Sequence, residues 1–453
     1  MKKTLTAIFT LVLLIALAWA LVRRDQSQKS AWNRIKNPET VQMLKQFVAI
    51  KEAQASAATN GMPPEIQALF KEAVRGDWLA LSNAFIKIGI QNGHFAGTPT
   101  SSHGKVWTTV ADWLSELREK IGWHTDPEAE MNRLRGTPWE AAKEVWGAFD
   151  GFVTGDAKYS AAFGQNIIGS IPPGSIYFGG TDPGRFIVTA MCQSQPDADP
   201  FFTLTQNALA DGTYLDYARS MYGKKIYIPT PTDSQDCFQE FVRSKTLSPS
   251  GGRVTVSGQS DVMAINGLIA KVVFDQNTNR EVFIHESFPL DWMYPQLEPH
   301  GLIFKLNRQP VEKLPDEILQ RDHDFWTNQI SPMIGGWLTD ETSVIEIAAF
   351  VKNIFGRNDF NGFSGDTNFV QNGYTTAMYS KSRSSIAGLY AWRSQNIHDE
   401  SEKQRMNRAA DFAFRQAWAL CPFAPEPVYR YVNFLLEQNR FDDAFLIAET
   451  AAA

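Results

Sequence analysis

The spacing of apolar and polar residues divides the chain into a helical part, a mixed part and a second helical part. Short β-branched and aromatic runs, typical of strands, begin only after residue 174 and alternate with helical patterns up to residue 310. This alternation predicts an α/β core, a mainly parallel sheet with covering helices, flanked by an N-terminal and a C-terminal helical region. The predicted strands are residues 175–178, 201–205, 225–228, 281–284 and 302–306, with residues 289–301 as a connection between the last two. The predicted helices are residues 62–74, 77–88, 107–121, 138–149, 185–193, 213–222, 237–242 and 262–274.

The last helical region contains an internal repeat. Ala410 and Ala417 are each followed 34 residues later by another alanine, Ala444 and Ala451. Small residues at this period, where two helices touch, are typical of tetratricopeptide (TPR) repeats, and an ordinary helical hairpin is the alternative. About one and a half repeats are visible, so they must pack on preceding helices or on a partner. The predicted division is residues 1–24, 25–168, 169–310 and 311–453, with the TPR-like part over about 405–453.

The N-terminus has the pattern of a membrane-targeting segment. Residues 5–22 carry no charge, and Arg23 and Arg24 follow them directly. The small residues Ala18 and Ala20 fit a signal-peptide cleavage site, whereas the two arginines favour an uncleaved single-pass anchor. We predict a transmembrane signal anchor over residues 1–24, with an inner-membrane location and a soluble part that is periplasmic or extracytoplasmic. A contact with the membrane through this segment is therefore expected.

Composition and charge exclude several classes of protein. The chain has 453 residues, of which 43% are hydrophobic and 20% charged, which is typical of globular domains. The formal net charge is −6 and no stretch concentrates lysine and arginine, so nucleic acid is not an expected partner. The three cysteines, Cys192, Cys237 and Cys421, are far apart in sequence, which excludes a disulfide framework and a zinc ribbon. They are predicted to be buried free thiols, with one bridge as the alternative in an exported chain.

The first candidate site is the loop after the first predicted strand. Gly179 and Gly180 lead into Thr181 and Asp182, and Arg185 lies one turn into the following helical pattern. A loop between a strand and a helix is where α/β proteins hold ligands, and a fixed cation beside backbone N–H groups suits an anion. The loop lacks the lysine of a P-loop and the spacing of a dinucleotide-binding fingerprint. A helix cap at Asp182 and an ion pair at Arg185 are the structural alternatives.

The second candidate site follows the second predicted strand. Asn207 and Asp211 come directly after residues 201–205, at what would be a carboxyl end of the sheet. If the first two strands are adjacent, these side chains converge with Asp182 and Arg185 on a hydroxyl-rich or anionic ligand. Asparagine and aspartate are also ordinary turn residues, so turn formation is the alternative.

The third candidate site is His285 with Glu286, at the end of the fourth predicted strand. A histidine and carboxylates on one loop suit acid–base chemistry or metal binding. No metal-binding spacing is present, and no nucleophile elbow appears, so neither a metal, a cofactor nor a catalytic residue is predicted.

Four long motifs resemble one family of bacterial proteins. The resemblance rests on P-P-G-S-I-Y-F-G-G-T-D-P-G-R-F, T-Q-N-A-L-A-D-G-T-Y-L-D-Y, H-E-S-F-P-L-D-W-M-Y-P-Q-L-E-P-H-G-L-I-F-K-L and S-K-S-R-S-S-I-A-G-L-Y. The family is an uncharacterised set of TPR-containing, Verrucomicrobia-like proteins. It is similar to the soluble C-terminal region of polytopic membrane proteins that resemble protein O-mannosyltransferases. The resemblance covers roughly residues 130–453.

What this resemblance implies is limited by a departure from the larger proteins. Their sugar-transfer chemistry is expected in a multi-spanning membrane part, and their soluble domain is expected outside the cytoplasm. This chain has a single hydrophobic segment, so no catalytic residue carries over to it.

Three hypotheses about function follow. The first is a membrane-anchored, extracytoplasmic binding or scaffolding protein, with a protein partner on the TPR-like helices and a glycan or small polar ligand on the α/β core. The second is an enzyme or accessory subunit in glycan or lipid-linked sugar transfer that uses Asp182, Asp211, or His285 with Glu286. The third is a structural remnant of the larger membrane protein, which predicts no pocket at the carboxyl edge of the sheet.

Overall fold

A computed structural model describes residues 30–58, 61–91, 136–179, 183–194, 200–246, 259–285 and 291–452. These residues are mostly helical, with one small mixed sheet of five strands. The chain divides into two compact units, Met1–Phe149 and Asp150–Ala453. The predicted four-part division stays a prediction.

The first unit is built from helices around an aromatic core. Phe85 stacks on Trp139 and on Trp146, at ring-centroid distances of 4.8 and 4.6 Å. The two tryptophans are thus packing residues, whereas Trp107 and Trp113 lie outside the described residues. Gly76 ends the third helix with a left-handed φ of 69°, and a side chain there would clash with the indole of Trp32. The helices are α1 (Ala31–Arg34), α2 (Pro38–Ser56), α3 (Pro64–Arg75), α4 (Trp78–Gln91) and α5 (Thr137–Phe149).

The second unit contains the sheet, whose strand order is β2-β1-β3-β5-β4. β1 pairs in parallel with β2 and with β3, whereas β5 pairs antiparallel with β3 and with β4. The sheet is therefore mixed and not mainly parallel as predicted. The strands are β1 (Ile176–Gly179), β2 (Phe202–Thr205), β3 (Val282–His285), β4 (Leu297–His300) and β5 (Ile303–Leu306).

Two predictions about the strands are wrong. Residues 225–228 form no strand, because the N–H groups of Lys225 and Ile226 donate to the Tyr222 carbonyl and continue the end of a helix as turns. The N–H of Tyr227 donates to the Asn277 side chain, so it too is unavailable to a ladder. β4 falls within the predicted connection. Its Pro299 lacks an N–H group, which is tolerated because β4 is an edge strand.

Helices alternate with the strands of the sheet along the chain. The predicted helix over residues 185–193 begins instead as a five-residue π-helical turn, Pro183–Ile187, and only then becomes α-helical. Cys192, Cys237 and Cys421 are all buried, and Cys237 and Cys421 are free thiols. The helices of this part are α6 (Ala157–Ser170), α7 (Val188–Gln193), α8 (Gly212–Tyr222), α9 (Pro231–Thr246) and α10 (Gln259–Gln276).

The C-terminal part of the second unit is helical, as predicted. Its two long helices, α14 and α15, pack along each other, and the final helices α16 and α17 pack against one another. Asn439, with a left-handed φ of 58°, lies in the turn that leads into the last helix. Ala410, Ala417 and Ala444 are buried at helix contacts, but the TPR assignment itself stays a prediction. The helices are α11 (Asp316–Phe325), α12 (Val344–Val351), α13 (Thr367–Gln371), α14 (Gly373–Asn396), α15 (Glu400–Leu420), α16 (Pro425–Glu437) and α17 (Phe441–Ala452).

The predicted membrane anchor, residues 1–24, lies outside the described residues. In the part of the chain that the structure does describe, no helix combines the length and the apolar character that a bilayer crossing requires. This finding contradicts the predicted transmembrane anchor and the predicted inner-membrane location, and both are withdrawn.

Candidate functional site

The predicted site lies at the carboxyl ends of three adjacent parallel strands. Gly179, the last residue of β1, is level with Thr205 at the end of β2 and with His285 at the end of β3. The adjacency of the first two strands, on which the predicted site depends, is therefore confirmed. Loops that follow parallel strands meet at this edge, which is where α/β proteins hold ligands.

Arg185 is a buried cation at this edge. Only 6% of the residue is exposed, and its guanidinium group lies 4.4 Å from the ring centroid of Phe186 and 5.9 Å from that of Tyr214. The Tyr214 hydroxyl in turn accepts a hydrogen bond of 2.6 Å from the N–H of Thr205. Arg185 and the end of β2 thus share one aromatic neighbour, and the arginine does not point to solvent.

His285 is enclosed by protein groups. Its Nε2 atom lies 3.0 Å from the Ser382 hydroxyl of α14, and its ring stands edge-on to Phe163. A methyl group on Gly184 would come within 1.9 Å of its Nδ1 atom, so only glycine fits beside the ring. Burial, together with the positive charge of Lys381, lowers the pKa of His285 to about 3. The imidazole is therefore neutral near pH 7, and its position suits packing better than acid–base chemistry.

Asn207 and Asp211 are not enclosed at this edge as Arg185 is, and the side chain of Asp211 has a structural role. Both are exposed. The Asp211 carboxylate accepts hydrogen bonds from the N–H and the hydroxyl of Thr213, at 2.9 and 2.8 Å, and so caps α8. The Asn207 carbonyl accepts a hydrogen bond from the side chain of Asn266. The remaining predicted site residues, Thr181, Asp182 and Glu286, lie outside the described residues.

Gln206 is a residue of this edge that the sequence reasoning missed. It follows β2 directly and is fully buried, yet within the described part of the chain neither its amide nitrogen nor its amide oxygen has a hydrogen-bond partner. An unpaired buried amide is unfavourable, so such a group points to a role other than packing. The position of Gln206 as the first residue after a predicted strand indicates a place at this edge of the sheet, as for its neighbour Asn207.

A cavity of about 800 Å³ lies among the C-terminal helices, far along the chain from the predicted site. Its wall contains five arginines, four aspartates and one histidine from α11, α14, α15 and the segments beside them. Among the described residues no group of three or more histidine, cysteine or carboxylate side chains is placed to hold a metal. These acidic, basic and histidine residues of the wall are Asp316, Asp322, His323, Asp340, Arg383, Arg405, Arg408, Asp411, Arg415 and Arg440.

The floor of this cavity holds a buried ion pair. The Asp322 carboxylate, on α11, accepts hydrogen bonds through Oδ2 from the Arg383 guanidinium at 2.7 Å and from the Tyr390 hydroxyl at 2.8 Å. Arg383 also donates to the side-chain oxygen of Gln416 at 2.7 Å and lies over the ring of Trp326. The other carboxylate oxygen, Oδ1 of Asp322, has no hydrogen-bond partner among the residues that the structure describes, although Asp322 is only 3% exposed.

The last two helices expose a third feature, which we call the C-terminal aromatic face. It comprises Tyr429 and Leu436 of α16 and Phe441 and Phe445 of α17. Tyr429 and Phe445 are each 70% exposed and Phe441 is 59% exposed. Large side chains at this exposure are energetically costly in water, and their grouping on neighbouring helices is typical of an interaction surface.

Comparison of the chain with protein-family models, with curated proteins and with solved structures yields no match.

Proposed function

We propose that this protein is a binding and scaffolding protein that holds a protein partner on its C-terminal aromatic face. The proposal extends to the architecture, in which the last helices are TPR-like and the sheet with its covering helices is an α/β core. The resemblance to TPR-containing bacterial proteins agrees with it. The observation that carries the proposal is the exposure of Tyr429, Phe441 and Phe445 on two helices that are otherwise well packed.

The two faces of α17 support this role. Ala444, Ile447 and Thr450 are buried against the rest of the protein, so the helix is fixed in place. Phe441 and Phe445, one helical turn apart, lie on the opposite, exposed face. A helix on the surface needs only one apolar face to pack against its own protein. We infer that the second apolar face, with Phe441 and Phe445, packs against a partner.

Charge selects the kind of partner. Asp442 and Glu449 are exposed on α17, and the helix has no basic residue. An apolar surface with acidic flanks is complementary to an amphipathic helix whose apolar face is flanked by lysine or arginine. We therefore propose that the partner contributes a basic amphipathic helix.

The carboxyl edge of the parallel strands supports a second, smaller binding role, for a glycan or another small polar ligand. Gln206 carries this proposal, because its buried amide group has no partner among the described residues. If that amide serves a ligand, Gln206→Leu should stabilise the free protein by about 1 kcal/mol, because an unpaired buried amide is removed. Loss of stability in urea unfolding would contradict this interpretation.

Site-specific photocrosslinking tests the partner proposal. A photoreactive phenylalanine analogue replaces Phe445 in the full chain, expressed in its native cells, and a matched chain carries the analogue at Lys403. Lys403 is exposed on α15 and lies outside the C-terminal aromatic face. The crosslinked peptides are then identified by mass spectrometry.

The expected result is a crosslink from position 445, and not from position 403, to a basic amphipathic segment of one protein. Crosslinks to a second copy of the chain or to lipid would contradict the proposed partner. Equal, unspecific crosslinking from both positions would contradict the docking surface itself.

A further inference from the structure

We propose that the cavity among α11, α14 and α15 binds a small hydroxylated carboxylic acid of the sugar-acid class. This site is distinct from the C-terminal aromatic face, and the inference does not depend on the proposed function. The cavity volume, about 800 Å³, lies in the range of about 300–1,000 Å³ that is usual for small-molecule sites.

A buried acceptor on the cavity floor calls for a hydrogen-bond donor. Asp322 is almost fully buried and lines the cavity, and no described residue forms a hydrogen bond with its Oδ1 atom. Buried carboxylate oxygens are normally hydrogen-bonded, so a donor from a ligand is the missing partner.

The donor is expected to be uncharged. Asp322 is already paired with the Arg383 guanidinium through its other oxygen, at 2.7 Å. A ligand ammonium group at Oδ1 would lie close to this guanidinium and be repelled by it, whereas a hydroxyl group would not. This favours a hydroxylated acid over an amino acid.

Arg408 differs from the other four arginines of the wall, each of which is paired with a carboxylate. Arg415 and Arg440 share the carboxylate of Asp411, and Arg440 also pairs with Asp443. Arg405 is paired with Glu402 and with Asp316. Arg408 is exposed, and no ion pair of it is found among the described residues. It is therefore the cation that remains for a ligand carboxylate.

Aromatic rings complete the wall and suit an organic ligand better than an inorganic anion. The rings of His323 and Phe412 stack with their centroids 5.1 Å apart, and Phe434 also lines the cavity. Such rings pack against the apolar C–H face of a sugar, while its hydroxyl groups take the polar contacts.

Isothermal titration calorimetry of the full chain tests the inference with four probes. D-Glucuronate carries both hydroxyl groups and a carboxylate, D-glucose carries only hydroxyl groups, acetate carries only a carboxylate, and L-alanine replaces the hydroxyl with an ammonium group. The expected result is a Kd for glucuronate at least about tenfold lower than for each of the other three. Absence of glucuronate binding, or equal affinity for glucose or acetate, would overturn the site. Tighter binding of alanine would overturn the ligand class.

Two variants locate the site. Arg408→Ala should weaken glucuronate binding about tenfold, while Lys403→Ala, which removes a positive charge from the same helix outside the cavity wall, should leave it unchanged. Asp322→Asn should also lose binding, with folding checked by thermal unfolding because Arg383 loses its charged partner. Arg408 is exposed, so its variant decides the question if Asp322→Asn unfolds. Equal effects of Arg408→Ala and Lys403→Ala would overturn the inference.

Discussion

The buried imidazole of His285 makes the stability of the second unit depend on pH. Burial, and secondarily the charge of Lys381, lowers its pKa to about 3 in the folded protein, whereas an unfolded histidine titrates near 6.5. Below about pH 6.5 the unfolded chain binds a proton that the folded protein does not bind, so stability is lost as the pH falls. Each pH unit below about 6.5 lowers the free energy of unfolding by about 1.4 kcal/mol, so the total loss at pH 4.5 is about 2.7 kcal/mol.

Equilibrium urea unfolding at several pH values between about 7 and 4.5 measures this effect. His285→Gln keeps a hydrogen-bonding group within reach of the Ser382 hydroxyl but cannot bind the proton. His300, whose pKa is lowered mainly by burial, contributes equally in both proteins and cancels in the comparison. We expect the stability difference between wild type and variant to change by about 2–3 kcal/mol over this range.

His398→Gln is the matched control, because this histidine is exposed and its loss should leave the pH dependence as in the wild type. A wild-type and a His285→Gln protein with parallel stability curves would refute the reasoning. That result would mean that the folded protein admits the proton, through water or a local opening near Ser382.

Three further predictions concern stability and are measured by urea unfolding. Lys51→Met should lower the free energy of unfolding by about 3–5 kcal/mol, because it removes the ammonium group that lies 2.5 Å from the buried Glu144 carboxylate. The double variant Lys51→Met, Glu144→Leu should recover most of that stability, because it removes both charges. Gly184→Ala should cost about 1–3 kcal/mol through the clash with His285, while Gly212→Ala, whose methyl group meets nothing within 4 Å, should be harmless. Ser343→Ala should cost about 1 kcal/mol by removing the capping box with Glu346 at the start of α12. A loss below about 1 kcal/mol would contradict the argument for Lys51. Equal effects of the two glycine variants would contradict the argument for Gly184, and an unchanged free energy of unfolding would contradict that for Ser343.

The sequence pattern predicted those elements whose conformation depends mainly on residues close together in the chain. Four of the five strands lie within a residue or so of the predicted runs, because β-branched and aromatic residues are grouped there. The segment at Lys225 has the same composition, but side-chain and turn hydrogen bonds take up its backbone groups. Pro299 concealed β4, since a proline argues against a strand until its edge position is known.

The candidate sites were predicted only in part for a related reason. The sequence placed Arg185 and His285 at the right edge of the sheet, but burial decides their chemistry, and burial is set by distant segments such as Ser382. The charged cavity was not predicted at all. Asp322 and Arg383 are 61 residues apart and meet only when α11 packs on α14. No local spacing marks such a pair.

The proposed binding of a partner to the C-terminal aromatic face is tested by comparing the Kd of variants with that of the wild type. The basic helical segment identified by crosslinking is synthesised, and its Kd is measured for the wild type, for Phe445→Ser and for Val74→Ser. Val74 is an exposed apolar residue of α3 in the first unit and provides the matched control. We expect Phe445→Ser to raise the Kd at least about tenfold, because an aromatic anchor buried by the partner is lost, and Val74→Ser to leave the Kd unchanged. Equal affinities of the three proteins would contradict it.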